Sequence, residues 1–204
     1  MRKVLAGLTM ALVALSGCGQ PGGAGSGETN RQVGDESGVR DCGADPRPPD
    51  PVVTAGATMY PTTDEMSQAL DRIRQAGEST YRDTFAGLEV VPEEGYAIVY
   101  GVPSPEFEAF VRDAAQGQCV VLRNAAHSFA ELNALQDRIM VDWDLWRTRG
   151  IDISSIGARH DGSGVEVGTL DVEKARAELP EHYDTDIPII VEQAGPVAFL
   201  SDRG

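Results

Sequence analysis

The sequence predicts an α+β fold made of two tandem, duplicated β-hairpin-α-β units with two accessory helices. Three observations carry this. Short apolar strand-like runs alternate with runs of helical period over residues 61–204. Capping signals stand where the helices should open. The order strand-strand-helix-strand occurs twice, in units spanning about residues 78–124 and 150–200. The copies align without gaps around the second strand and the helix. Gly101 matches Gly168, Ser104 matches Asp171 and Glu106 matches Glu173, each 67 positions apart. On this alignment the second hairpin is about four residues longer.

The elements follow in order. Thr62 is placed to cap the first helix, with Glu65 completing a capping box. Met66, Ala69, Leu70 and Ile73 share one face, Tyr81 and Phe85 extend it, and Gly87 ends it. Leu88–Val91 and Tyr96–Val102 are strands around the turn Pro92-Glu93-Glu94-Gly95. Ser104 and Pro105 open a helix that buries Phe107, Phe110, Val111 and Ala114, and Cys119–Arg123 is the third strand. Ser128 and Glu131 form a second capping box. The helix after it is predicted to run as one piece through Leu132, Leu135, Ile139, Met140, Trp143 and Trp146 to Gly150. Strands at Ile151–Ala158 and Val165–Thr169 enclose a turn at Arg159–Gly164. Asp171 caps a helix burying Val172, Ala175 and Leu179, and Ile187–Glu192 is the last strand.

The first 60 residues have a different character. Arg2 and Lys3 precede an apolar run of eleven residues, Val4–Ala14, and then Leu15-Ser16-Gly17-Cys18. This is the three-part plan of an export signal, and the run is shorter than the roughly 20 residues a membrane span needs. The stretch Leu15–Cys18 resembles the lipobox of bacterial lipoproteins. That resemblance implies removal of residues 1–17, acylation of Cys18, and a mature protein held by lipid on the extracytoplasmic face of the cell membrane. Gly19 is not the Asp that would imply inner-membrane retention in two-membrane bacteria. Residues 18–60, rich in Gly and Pro, lack apolar periodicity and read as a flexible tether. Residues 61–204 read as one globular domain of about 145 residues, enough for a core.

Charge narrows the partners. The chain carries 17 basic and 32 acidic side chains, and loss of Arg2 and Lys3 leaves 15 against 32. Such a surface repels nucleic acid and anionic headgroups; it reads first as a solvated acidic surface that serves solubility, with a basic partner or loose cation association as the alternatives. Cys42 and Cys119 remain after processing. A disulfide between them fits an oxidising compartment, and a buried Cys119 with a free Cys42 is the alternative. Neither has a His at metal-ligand spacing.

The repeated hairpin, helix and strand is similar to the pro-region of alpha-lytic protease and streptogrisin-type secreted serine proteases. The similarity rests on Gly164-Val165-Glu166-Val167-Gly168 with Asp171–Ala177, and on Tyr81–Leu88. In that family the pro-region assists folding of an attached protease and then inhibits it. No protease sequence follows residue 204 in this chain, so the resemblance implies an inhibitor or chaperone acting in trans, or a reused scaffold.

Catalytic patterns are missing. No Gly-x-Ser-x-Gly elbow occurs, and Gly162-Ser163-Gly164 falls where a hairpin must turn. His127, His160 and His182 fall in loops or at a helix end, and are expected to be exposed and without partners at catalytic spacing. Asp142 and Asp144 are two apart on a helix and do not share a face. Glu181, Asp184 and Asp186 match no calcium loop and read as solvated loop acids. Trp143 and Trp146 share a face and are expected in the core, with a partner-binding stripe as the alternative. The expectation is a non-enzymatic lipoprotein without cofactor that binds a protein, with a small-ligand or cation-binding lipoprotein as the alternative.

Overall fold

Two hairpins of equal length frame the fold, which a computed structural model describes for the backbone of Arg40–Asp41 and for residues 48–195. In the first, β4 (Phe85–Val91) pairs antiparallel with β5 (Tyr96–Gly101). Helix α2 (Pro105–Ala115) crosses over to β6 (Val120–Asn124), which lies parallel to β5. In the second, β7 (Ile153–Ala158) pairs antiparallel with β8 (Val165–Thr169), and α5 (Val172–Tyr183) leads to the parallel β9 (Ile189–Gln193). Helices and strands are interleaved throughout, an α+β arrangement.

The paired residues correct the alignment. Phe85 faces Gly101 and Ile153 faces Thr169, with the same bulge after each: Phe85/Gly87 and Ile153/Ser155. Equivalent strand positions are therefore 68 apart, so Gly168 corresponds to Tyr100 and not to Gly101. The second hairpin is not four residues longer. The helix starts at Ser104 and Asp171 do stand 67 apart, but only Ser104 caps with its side chain; the Asp171 carboxylate accepts from Asp152 N at 3.2 Å instead of from its own helix. The final strands are 69 apart, since Ala97 pairs with Val120 and Val165 with Ile189. The length differences lie in the loops around the helix, where extra residues do not disturb a ladder.

A helix precedes each hairpin. α1 (Asp64–Ser79) is capped by Thr63, whose hydroxyl accepts from Met66 N at 3.2 Å, one residue later than the Thr62 box predicts. α1 ends before Tyr81, and Phe85 and Gly87 belong to β4. Gly77 lets α1 approach the sheet, because a β-carbon there would collide with the Phe85 ring. α3 (Phe129–Val141) has the expected Ser128–Glu131 capping box. It does not continue to Trp146. The chain breaks at Asp142 and restarts as α4 (Trp143–Thr148).

Each unit has its own core. Ile73, Phe85, Val99, Phe107, Val111 and Val120 fill the first, beneath α1 and α2. Leu132, Leu135, Ile139, Trp146, Val165, Val167 and Leu179 fill the second, beneath α3, α4 and α5. The units meet where the β7–β8 turn sits on β4 and the strand end at Ala125. Gly162 accepts from His127 N at 3.2 Å and packs against Ala125 and Ala86. Glu89, on β4, accepts from Tyr100 Oη at 2.9 Å and lies 3.8 Å from His160 Nε2.

The stretch expected as a tether contributes two further elements. β1 (Arg40–Asp41) pairs antiparallel with β6, extending the first sheet to the order β1-β6-β5-β4. β2 (Val52–Thr54) and β3 (Ala57–Met59) form a separate hairpin. Among the described residues, no helix is long and apolar enough to cross a membrane.

Candidate functional site

The outer strands of the two sheets are finished differently. In the first sheet Ala97 N donates to Cys119 O at 3.1 Å, which turns the backbone groups of residues 119 and 121 toward β5. The groups of Val120 then face outward, and there Asp41 pairs with it. In the second sheet Val165 N donates to Pro188 O at 2.9 Å, so Ile189, Val191 and Gln193 turn their backbone groups outward. Among the described residues, no strand pairs with this edge. The Val191 carbonyl is met by a side chain there, accepting from Arg176 Nη2 at 3.2 Å. Ile189 and Ile190 are half-buried, and Glu192 and Gln193 are exposed.

At the other end of α5, a polar cluster fixes the chain just before it enters β9. Asp142, at the α3–α4 break, receives a hydrogen bond from Tyr183 Oη at 3.1 Å and lies 3.5 Å from His182 Nε2. Trp146 Nε1 donates to the Tyr183 hydroxyl at 2.7 Å, and Arg138 Nη2 donates to the Tyr183 carbonyl at 2.9 Å. The Arg138 guanidinium stands 5.3 Å over the Tyr183 ring, and the His182 ring stacks edge-on against Trp146 at 4.9 Å. Burial, and to a smaller extent the Asp142 carboxylate, push the Tyr183 hydroxyl up to about 12. Tyr183 therefore keeps its proton at neutral pH and works as a hydrogen-bonding bridge rather than a base. The open hollow beside it is lined by Asp137, Arg138, Val141, Asp142, His182 and Tyr183.

The expected site residues fall as follows. Cys18 and Cys42 lie outside the described residues. Cys119 is buried, 9% exposed, immediately before β6. His160 and His182 are not isolated as expected: each has a carboxylate within 4 Å, Glu89 and Asp142 respectively. Ser163 serves the turn, its amide and hydroxyl donating to Asp161 at 3.0 and 2.6 Å. Burial opposes the Asp161 charge, but the Ser163 hydrogen bonds and Arg159 outweigh it and hold the carboxyl below its ordinary value. Trp146 is fully buried and Trp143 packs against the same core. Among the described residues, no three His, Cys, Asp or Glu side chains come together as metal ligands. Arg138 and Tyr183 were not foreseen, because they lie 45 positions apart and neither belongs to a local motif. Compared with known proteins, the chain matches no family model and no curated protein.

Proposed function

We propose that this chain is an extracytoplasmic lipoprotein, anchored to the cell membrane through lipid on Cys18, whose domain binds another exported protein without catalysing a reaction. The outer edge of β9, which no strand among the described residues covers, carries the reading. An unpaired strand edge accepts an extended segment through main-chain hydrogen bonds, while alternate side chains supply specificity. β1 on β6 is an example within the same chain of a short antiparallel segment finishing such an edge. Asp184 and Asp186 precede β9, Glu192 lies within it, and the chain has a net charge of −15, so the incoming segment should be basic. A secreted protease, as the pro-region resemblance implies, and an envelope protein are the two partner classes.

The test is capture of exported proteins on the mature chain carrying Cys18→Ser, followed by amide exchange on the complex. A bound partner should protect the Ile189, Val191 and Gln193 amides. A complex that leaves those three amides exchanging as in the free chain would remove β9 from the interface. Lipidation is tested separately, by acyl-chain labelling that disappears in Cys18→Ser.

A Cys42–Cys119 disulfide belongs to the same reading. Asp41 pairs with Val120, and in sequence Cys42 follows the one while Cys119 precedes the other. A ladder continued by one pair would set Cys42 opposite Cys119 at a non-hydrogen-bonded position, and such pairs stand about 4.5 Å apart at Cα, inside the window of about 4.4–6.8 Å for a disulfide. Cys119 should resist alkylation until the chain is reduced, and alkylation of the unreduced native chain would rule the bond out.

A further inference from the structure

The β2–β3 hairpin has no core of its own. All six of its residues are exposed, including Val52 at 48% and Val53 at 69%, and Met59 is 53% exposed. Val52 pairs with Met59, Val53 with Thr58 and Thr54 with Ala57, around a turn in which Ala55 and Gly56 both have positive φ. That turn geometry matches strand twist, but a two-stranded hairpin is marginal in water unless a third strand or another surface covers it. Tyr60 follows, 37% exposed.

Charge distribution indicates which surface. Between Asp50 and Asp64 the chain carries no Asp, Glu, Lys, Arg or His, although 24% of all its residues are Asp, Glu, Lys or Arg. The rest of the protein is strongly acidic and is held off anionic headgroups. This segment offers exposed apolar side chains with no charge to desolvate, and an aromatic phenol at its base. That combination suits the headgroup–acyl boundary of a bilayer, where Tyr is favoured. It also lies on the anchor side of the domain in sequence, 34 positions after Cys18. We infer that the hairpin Val52–Met59 is a second membrane contact, resting the face that carries the paired Val52 and Met59, with Tyr60 at its base, in the interface of a neutral bilayer. The inference rests on the lipid-anchor reading, because a tether turns weak partition into a high local concentration. Its consequence is orientation: the domain would lie with one defined side on the membrane instead of swinging on a loose leash.

The experiment holds the chain on the bilayer without relying on Cys18. A His-tagged Cys18→Ser chain is placed on phosphatidylcholine vesicles carrying nickel-chelating lipid, and amide exchange over residues 52–60 is compared with that of the same chain in buffer. Exchange should slow at least about tenfold on the vesicles. The Val52→Asp/Met59→Asp variant, which charges both partners of one face, should lose that protection, since each buried aliphatic side chain accounts for about a factor of ten or more. Its unchanged exchange over β4–β9 confirms that the domain remains folded. Equal exchange on vesicles and in buffer overturns the inference, even if labelling shows Cys18 to be lipidated. Protection that appears only with an added protein overturns it too and assigns the hairpin to a protein interface.

Discussion

The first unit is finished by a strand of its own chain, and among the described residues the second is not. Both have the same strand order, the same bulge and a helix on each side of the hairpin. In the first unit β1 covers the outer edge of β6, and the core is rich in aromatic rings: Phe85 and Phe107 lie 6.3 Å apart, and Tyr81 reaches Phe107 at 5.3 Å. In the second unit no strand among the described residues covers the outer edge of β9. Its core is mainly aliphatic around Trp146, whose indole is tied to Tyr183 and through it to Asp142. An apolar core tolerates small rearrangements, whereas a hydrogen-bonded bridge across three helices permits one arrangement. The polar cluster stands directly before the loop into β9 and so holds the open strand in place without an outer neighbour. Rigidity that β1 supplies from outside in one unit comes from inside in the other.

Removing the bridge's largest member is the severest test of that contrast. Trp146→Ala deletes a fully buried indole and leaves the Tyr183 hydroxyl without its donor. The expected loss is about 4 kcal/mol, read as a shift in the urea midpoint. Amide exchange should quicken across β7–β9 while β4–β6 keeps most of its protection. Uniform loss in both sheets would mean that the units fold as one body and that the contrast has no energetic content.

The seam between the units comes next. Gly162 has φ +74° and its α-carbon lies against Ala125 and the His127 carbonyl. Gly162→Ala combines a backbone conformation that side chains disfavour with a steric conflict, at a cost of about 2 kcal/mol. Gly56→Ala is the control, with φ +82° and open space around it, so only the conformational part remains. If the two variants lose equal stability, the seam is not close-packed in solution.

Local signals and long-range ones were unequally legible in the sequence. Ser104 and the Ser128–Glu131 box act within four residues, and both caps form as the sequence implies. Thr62 and Thr63 are both competent caps, and only packing of Met66 and Leu70 on the sheet selects the second. The break at Asp142 has no Gly or Pro to announce it; it is imposed by Tyr183, 41 positions away. Matching glycines suggested an offset of 67, but ladder pairing sets 68, because a bulge and a register cannot be seen without the partner strand. The open edge of β9 was hidden for the same reason: each strand reads alike until the sheet order is known.

The smallest expected effect sharpens the comparison most, because it touches a single atom. Tyr183→Phe keeps the ring beneath Arg138 and removes only the hydroxyl between Trp146 and Asp142. The loss at neutral pH should be about 1 kcal/mol. The pH dependence separates a bridge from a passive filler. Burial first, and then Asp142, raise the Tyr183 hydroxyl from 10.0 to about 12, so the folded chain holds this proton more tightly than the unfolded one. Its contribution is complete below pH 10 and disappears as pH rises through about 12. Denaturation midpoints measured from neutral pH into that window should fall more steeply for the native chain than for Tyr183→Phe. Tyr100 is also raised, by burial and then by Glu89, so some alkaline loss should remain in the variant. Identical slopes would place Tyr183 outside the network that steadies β9, and the open edge would then depend on apolar packing alone.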